Sequence, residues 1–177
     1  MQIIAISIMG RDRPGIIAFL TRLFYEHGGN MLDSSMTILR GEFAMILLVE
    51  VPEDQIESMA QILMKQKGLY IDWRSVSPEE IESNRHPSIP THILTLIGQD
   101  APGLVWETTQ LLANEGINIT DLDTQMIASG QTPVYAMILE VHLSDHHDEE
   151  VLRYALQALG KRLGLETSLK PVGTAVL

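Results

Sequence analysis

Gly10-Arg11-Asp12-Arg13-Pro14-Gly15 stands between an apolar run, Ile3 to Ile8, and a segment of helical period that begins at Ile16. The arrangement returns as Gly98-Gln99-Asp100-Ala101-Pro102-Gly103. The apolar run reads as a strand and the next segment as a helix, so each copy is a strand-to-helix turn with its helix starting near Asp12 or Asp100. A helix start offers N–H groups without intrahelical partners and a partial positive charge, which suits an anion. Pro14 is tolerated there, as is its counterpart Pro102, because an early helical N–H has no partner to lose. Gly15 and Gly103 admit the close approach of a ligand or a neighbouring backbone. In the structural alternative, Asp12 and Asp100 only cap their helices and the glycines only serve packing.

The duplication extends well past the turn. Gly10, Asp12, Pro14, Gly15, Thr21, Leu23, Gly28, Asn30 and Asp33 match Gly98, Asp100, Pro102, Gly103, Thr109, Leu111, Gly116, Asn118 and Asp121 at one constant offset. Ala44-Met45-Ile46-Leu47 then matches Ala136-Met137-Ile138-Leu139, with the extra residues of the second copy falling around Ser129-Gly130-Gln131-Thr132-Pro133, a hairpin turn by composition. In the first copy, Ile16, Ile17, Leu20, Leu23 and Phe24 lie at helical spacing and Gly28 supplies the C-terminal stop. A strand follows from Asn30 to Leu39, with Ser34, Met36 and Ile38 on one face and one face mostly wet. Phe43 to Val51 is apolar enough for a central strand, Ile56, Met59, Ala60, Leu63 and Met64 form the inward stripe of a second helix, and an edge strand runs from Leu69 to Val76. The second copy repeats the order. Ser144 is the expected N-cap of a helix carrying Val151, Leu152, Ala155, Leu156, Leu159 and Leu163, and the last strand lies near Leu165 to Val172.

Each half therefore reads strand, helix, strand, strand, helix, strand. That order packs as a four-stranded antiparallel sheet with both helices on one face, the α+β ferredoxin-like arrangement, with the apolar first and third strands central. The expected domains are 1–76 and 91–177, joined by a linker, 77–90, that contains three prolines and an acidic cluster.

Composition narrows the function classes. With 45% hydrophobic and 20% charged residues the 177-residue chain is globular, and long enough to bury roughly two thirds of the surface its unfolded form exposes. No apolar run is long enough to cross a bilayer, and Met1-Gln2-Ile3-Ile4 enters a strand without a basic leader, so a cytoplasmic protein without membrane contact is expected. Zero cysteines exclude disulfides, thiolate metal sites and cysteine nucleophiles. Twelve basic against 23 acidic side chains give a net charge of −11, which repels phosphate backbones; no direct nucleic-acid binding is expected. Gly10 to Gly15 also lacks the glycine spacing and the Lys-Ser/Thr ending of a phosphate loop.

With the duplicated D-x-P-G turn, the Gly-x-Asn exit from the helix and this element order, the chain resembles two tandem ACT domains, and as a free-standing tandem it is similar to the glycine cleavage system transcriptional repressor family. The resemblance implies binding of a small amino acid, glycine among the candidates, where two domains sit side by side with their second strands adjoining. Matched by motif, it implies Asp12 and Asn30 as ligand-contacting positions in the first copy and Asp100 and Asn118 in the second, beside Pro14, Gly15, Pro102 and Gly103 of the turns. Physical chemistry fits a zwitterion, whose carboxylate needs N–H donors and whose ammonium needs an Asp or Asn oxygen. An Asp that capped its own helix would compete for those N–H groups.

Other constellations carry less. Asp145-His146-His147-Asp148-Glu149-Glu150 reads as a solvated helix start rather than a metal site, because adjacent histidines diverge on a helix. Met31, Met36, Met45, Met59 and Met64 read as core filler. Ser34, Ser35 and His27 assemble no nucleophile, since no G-x-S-x-G turn is present, and neither a catalytic residue nor a cofactor is expected. The leading expectation is a non-enzymatic sensor that binds a small amino acid between its ACT domains and acts on a partner protein, a transcription factor or a metabolic enzyme, in the transcriptional regulation of amino-acid metabolism, with identical chains forming a homo-oligomer through leftover surfaces. The alternatives are a regulatory subunit docking on a metabolic enzyme, and a structural pairing module without a ligand.

Overall fold

The computed structural model describes residues 1–83, 89–129 and 132–173, in two compact units, Met1–Asn84 and Arg85–Leu177. The first runs β1 (Gln2–Arg11), α1 (Ile16–Glu26), β2 (Asn30–Leu39), β3 (Glu42–Val51), α2 (Ile56–Met64), β4 (Leu69–Val76) and a short α3 (Pro78–Ser83). The second runs β5 (His92–Gly98), α4 (Leu104–Asn114), β6 (Asn118–Ser129), β7 (Thr132–His142), α5 (Glu149–Leu163) and β8 (Leu165–Pro171). Strand order is β2-β3-β1-β4 and β6-β7-β5-β8, antiparallel throughout. These are two ferredoxin-like units with the first and third strands central, as the element order predicts.

Alternation along the central strands builds each core. Ile4, Ile6 and Ile8 of β1 and Phe43, Met45, Leu47 and Val49 of β3 share one face and meet Leu20, Leu23 and Phe24 of α1 and Met59 and Leu63 of α2. Leu94, Leu96, Met137, Leu139 and Val141 meet Leu104, Leu112, Leu152 and Leu156 in the second unit. Two expected core positions point outward instead. Met64, at the end of α2, and Val151, in the first turn of α5, are exposed.

The β2 strand departs further from expectation. All ten of its residues are exposed, including Met36 and Ile38, which pair with the buried Met45 and Phe43 and so lie on the helix side of the sheet. The helices cover β1 and β3 and leave β2 overhanging. Of the five methionines read as core filler, only Met45 and Met59 are buried, while Met31, Met36 and Met64 are exposed.

Two small features recur in both units and shape the turns. Gly10 lies against the turn before β4, where a Cβ would stand 2.3 Å from the Gly68 carbonyl oxygen, and a Cβ at Gly98 would stand 2.7 Å from that of Gly164. Each first helix also ends alike: Gly28 N–H donates to the Tyr25 carbonyl and Gly29 N–H to that of Phe24, and Gly116 and Ile117 donate to Ala113 and Leu112. This is the Schellman closure, with glycine at its left-handed position.

The stretch expected as a linker contains α3. Ser77 Oγ accepts from Glu80 N–H at 3.1 Å while a Glu80 carboxylate oxygen accepts from Ser77 N–H at 2.9 Å, a reciprocal cap, and Arg74 adds an ion pair at 3.0 Å. The Ser77 N–H, with Arg74 beside it, holds the Glu80 carboxyl below the usual carboxylate range. A lowered folded value means that this clasp is present at neutral pH and is lost as the pH falls through it. Residues 84–88 of the expected linker and residues 130 and 131 of the expected hairpin lie outside the described residues.

Candidate functional site

Both turns have one backbone design. Gly15, at φ 96°, is the N-cap of α1, and Gly103, at φ 94°, is the N-cap of α4; both are left-handed conformations that favour glycine. The first intrahelical bonds run from Phe19 N–H to the Gly15 carbonyl and from Glu107 N–H to the Gly103 carbonyl, each 2.9 Å. The helices thus start at Ile16 and Leu104, later than the sequence suggests, because the left-handed glycine before each cannot belong to a right-handed helix. Asp12 and Asp100 are therefore not N-caps. Neither cap position makes a side-chain bond, and among the described residues neither carboxylate has a hydrogen bond or an ion pair. The competition between an Asp cap and a ligand carboxylate does not arise.

Asp12, Pro14 and Gly15 are exposed, as are Asp100, Pro102 and Gly103. A Cβ built on Gly15 would meet nothing within 4 Å, so that glycine is required by its backbone angle and not by packing within the unit. In the first unit Asp12 N–H donates to the Gly41 carbonyl at 2.9 Å, fixing the turn against the β2–β3 hairpin tip. In the second unit the turn borders a cavity of about 320 Å³ lined by Asp100, Ala101, Gly103, Leu104, Val105, Trp106 and Tyr135.

Asn30 and Asn118 are also exposed and open β2 and β6, each just ahead of a bulge, at Met31/Asp33 and Ile119/Asp121. The register places them far from their own turns. Asn30 pairs with Glu50, which pairs with Ile3 at the start of β1, whereas Asp12 follows Arg11 at the other end of that strand. At 3.3 Å per residue the nine residues from Ile3 to Asp12 span about 30 Å. Asn118 and Asp100 are likewise at opposite ends of the second sheet. Within one unit, therefore, the structure does not bring the predicted Asp and Asn together.

Three residues here were missed in reading the sequence. Tyr135 pairs with Gly98 as Phe43 pairs with Gly10, Trp106 stands where the first copy has Ala18, and Thr120 sits in the β6 bulge where the first copy has Leu32. The signal was available as differences between the copies, not identities. Thr120 Oγ1 is buried without a hydrogen-bond partner among the described residues. Thr120→Val keeps the shape and removes the orphaned hydroxyl, so we expect a gain of about 1 kcal/mol in stability, read from chemical denaturation.

The acidic-histidine run is structural. Asp148, not Ser144, caps α5, its carboxylate accepting from Glu150 and Val151 N–H at 3.0 and 3.2 Å. Ser144 N–H donates to His147 Nδ1 at 3.0 Å, which leaves Nε2–H to donate to the Glu115 carbonyl at 3.0 Å and ties the end of α4 to the loop before α5. Among the described residues no group of three or more His, Asp or Glu side chains is gathered as a metal site requires. Asp148→Ala should cost about 1 kcal/mol through the lost cap, measured by thermal melting.

The chain belongs to the ACT domain family, whose model matches residues 2–72 and 91–170. It is related along its length to the glycine cleavage system transcriptional repressor of Escherichia coli, at 26% identity over 172 residues, 96% of this chain and 90% of that one. It is 41% identical over 51 residues to a UPF0237 protein of Methanopyrus kandleri, matching 29% of this chain and 57% of that shorter relative. Among solved structures, a protein of unknown function from Galdieria sulphuraria superposes with a TM-score of 0.80 at 26% identity, over 97% of this chain and 99% of that one. No helix among the described residues is long and apolar enough to cross a membrane.

Proposed function

We propose that this ACT protein is a non-enzymatic regulator that senses a small amino acid and passes the result to a partner protein, in transcriptional control of amino-acid metabolism. The role named for the Escherichia coli relative supports the setting. The observation that carries the sensing reading is the exposed, unpartnered carboxylate of Asp12 and of Asp100 beside a helix start that has no side-chain cap. A site that uses both this Asp and the Asn at the far end of a sheet needs the turn of one ACT domain and the second strand of another. Antiparallel pairing of two second-strand edges meets that need, because it sets the start of one strand beside the end of its neighbour, where the neighbour's turn lies. The edges favour such pairing: β2 exposes Met31, Leu32, Met36, Ile38 and Leu39, and β6 exposes Leu122, Met126 and Ile127, beside unpaired backbone groups. The ligand carboxylate then takes the helix-start N–H groups, and its ammonium the free Asp carboxylate and the Asn amide oxygen.

Thermal melting of the full chain against each of the twenty amino acids tests this. A ligand at a hundred times its Kd should stabilise by about 2.7 kcal/mol, a shift of roughly 10 to 20 °C for a unit of this size. A flat profile across all twenty would leave the pairing module without a ligand as the better reading.

A further inference from the structure

The two turns share a backbone but not their walls. Beside the first turn, Phe43 is 2% exposed and sealed into the core, Ala18 offers no wall, and Arg13 turns its guanidinium to the Lys67 carbonyl at 3.1 Å. Beside the second, Tyr135 is half-buried and lines the cavity, and its hydroxyl has no partner among the described residues. Trp106, on the same cavity, is 67% exposed and sets an indole beside the turn. The next residue, Glu107, forms an ion pair with Arg162 of α5, which holds this part of α4 in place. Ala101 stands where the first copy has Arg13, so no long side chain fills the space.

We infer that the turn of the second unit takes an amino acid with a sizeable apolar side chain, branched or aromatic, in preference to glycine, and that Trp106 and Tyr135 make the distinction. This rests on the amino-acid-sensing reading above and gives it a ligand class. The indole covers the ligand side chain, and removing that apolar surface from water supplies the preference. The phenol hydroxyl bonds a polar end of the ligand, and Asp100 holds the ammonium. The two ACT units of the chain are then unequal sensors.

Calorimetry on the full chain with L-leucine, L-phenylalanine and glycine as probes tests the inference. Leucine or phenylalanine should bind at least tenfold tighter than glycine. Trp106→Ala, at an exposed position that the fold does not need, should remove most of that ratio while leaving glycine unchanged, and Tyr135→Phe should weaken binding about two- to tenfold with the ring packing kept. Asp100→Ala should weaken leucine binding roughly 10- to 150-fold and Asp12→Ala should spare it. Glycine binding as tightly as leucine, an unchanged ratio in Trp106→Ala, or loss of leucine binding in Asp12→Ala would each overturn the inference while amino-acid sensing stood. If none of the twenty amino acids shifts the melting temperature, the sensing reading itself fails, and this inference with it.

Discussion

Gly98→Ala should destabilise the second unit by about 3 kcal/mol, and Gly10→Ala should do the same to the first. The added methyl group at residue 98 would stand 2.6 Å from Leu165 Cδ2 and 2.7 Å from the Gly164 carbonyl oxygen; at residue 10 it would stand 2.3 Å from the Gly68 carbonyl oxygen. A side chain can swing away, but a carbonyl belongs to the backbone that starts β4 or β8. Relief therefore requires an edge strand to move off its central neighbour, with loss of pairing at Gly10↔Leu69 or Gly98↔Leu165. For a unit of this size the loss corresponds to a fall of roughly 12 to 24 °C in melting temperature. Gly15→Ala provides the contrast, since nothing lies within 4 Å of the new Cβ and only the left-handed backbone opposes it. That substitution should cost about 1 kcal/mol, a fall of roughly 4 to 8 °C in melting temperature. Equal losses at residues 10 and 15 would show that close packing at the strand end is not what demands glycine there.

Asp100→Ala should weaken amino-acid binding roughly 10- to 150-fold, because it removes a charge-assisted hydrogen bond worth about 1.5 to 3 kcal/mol. An effector of millimolar to micromolar affinity has only about 4 to 8 kcal/mol in total, so the loss is a large share of its binding. Asp100 has no structural partner among the described residues, so the folded protein should melt as before. The partner of Asp100 in the site is the sharper question. With about 30 Å between Asp and Asn along each sheet, the site proposed above takes its Asn from an ACT domain other than the one that supplies Asp100. A double mutant that joins Asp100→Ala to the Asn substitution of that other domain should be distinctly less than additive in calorimetric binding energy. Additivity of Asp100→Ala with both Asn30→Ala and Asn118→Ala would end the paired-domain mechanism.

The sequence by itself determined the topology of this protein. The duplicated turn marked both strand-to-helix junctions, Gly28 and Gly116 marked both helix ends, and the apolar runs Ile3 to Ile8 and Phe43 to Val51 marked the central strands. These features are local: each depends on a few neighbouring residues whose backbone preferences agree with the fold. Tertiary structure alone decided what the candidate site is made of. The start of α1 at Gly15 rather than near Asp12 follows from a dihedral angle that composition does not reveal. The exposure of Met31 and Met36 depends on where the helices lie across the sheet, since an apolar residue reads the same under a helix or beyond its edge. Tyr135 and Trp106 come to the second turn from β7 and α4, more than thirty and only six residues away in sequence from Asp100, and strand register brings the first of them there. Register also sets Asn30 and Asn118 at the far ends of their sheets. No spacing in the chain carries that distance, because it is fixed by which residue of one strand pairs with which residue of the next.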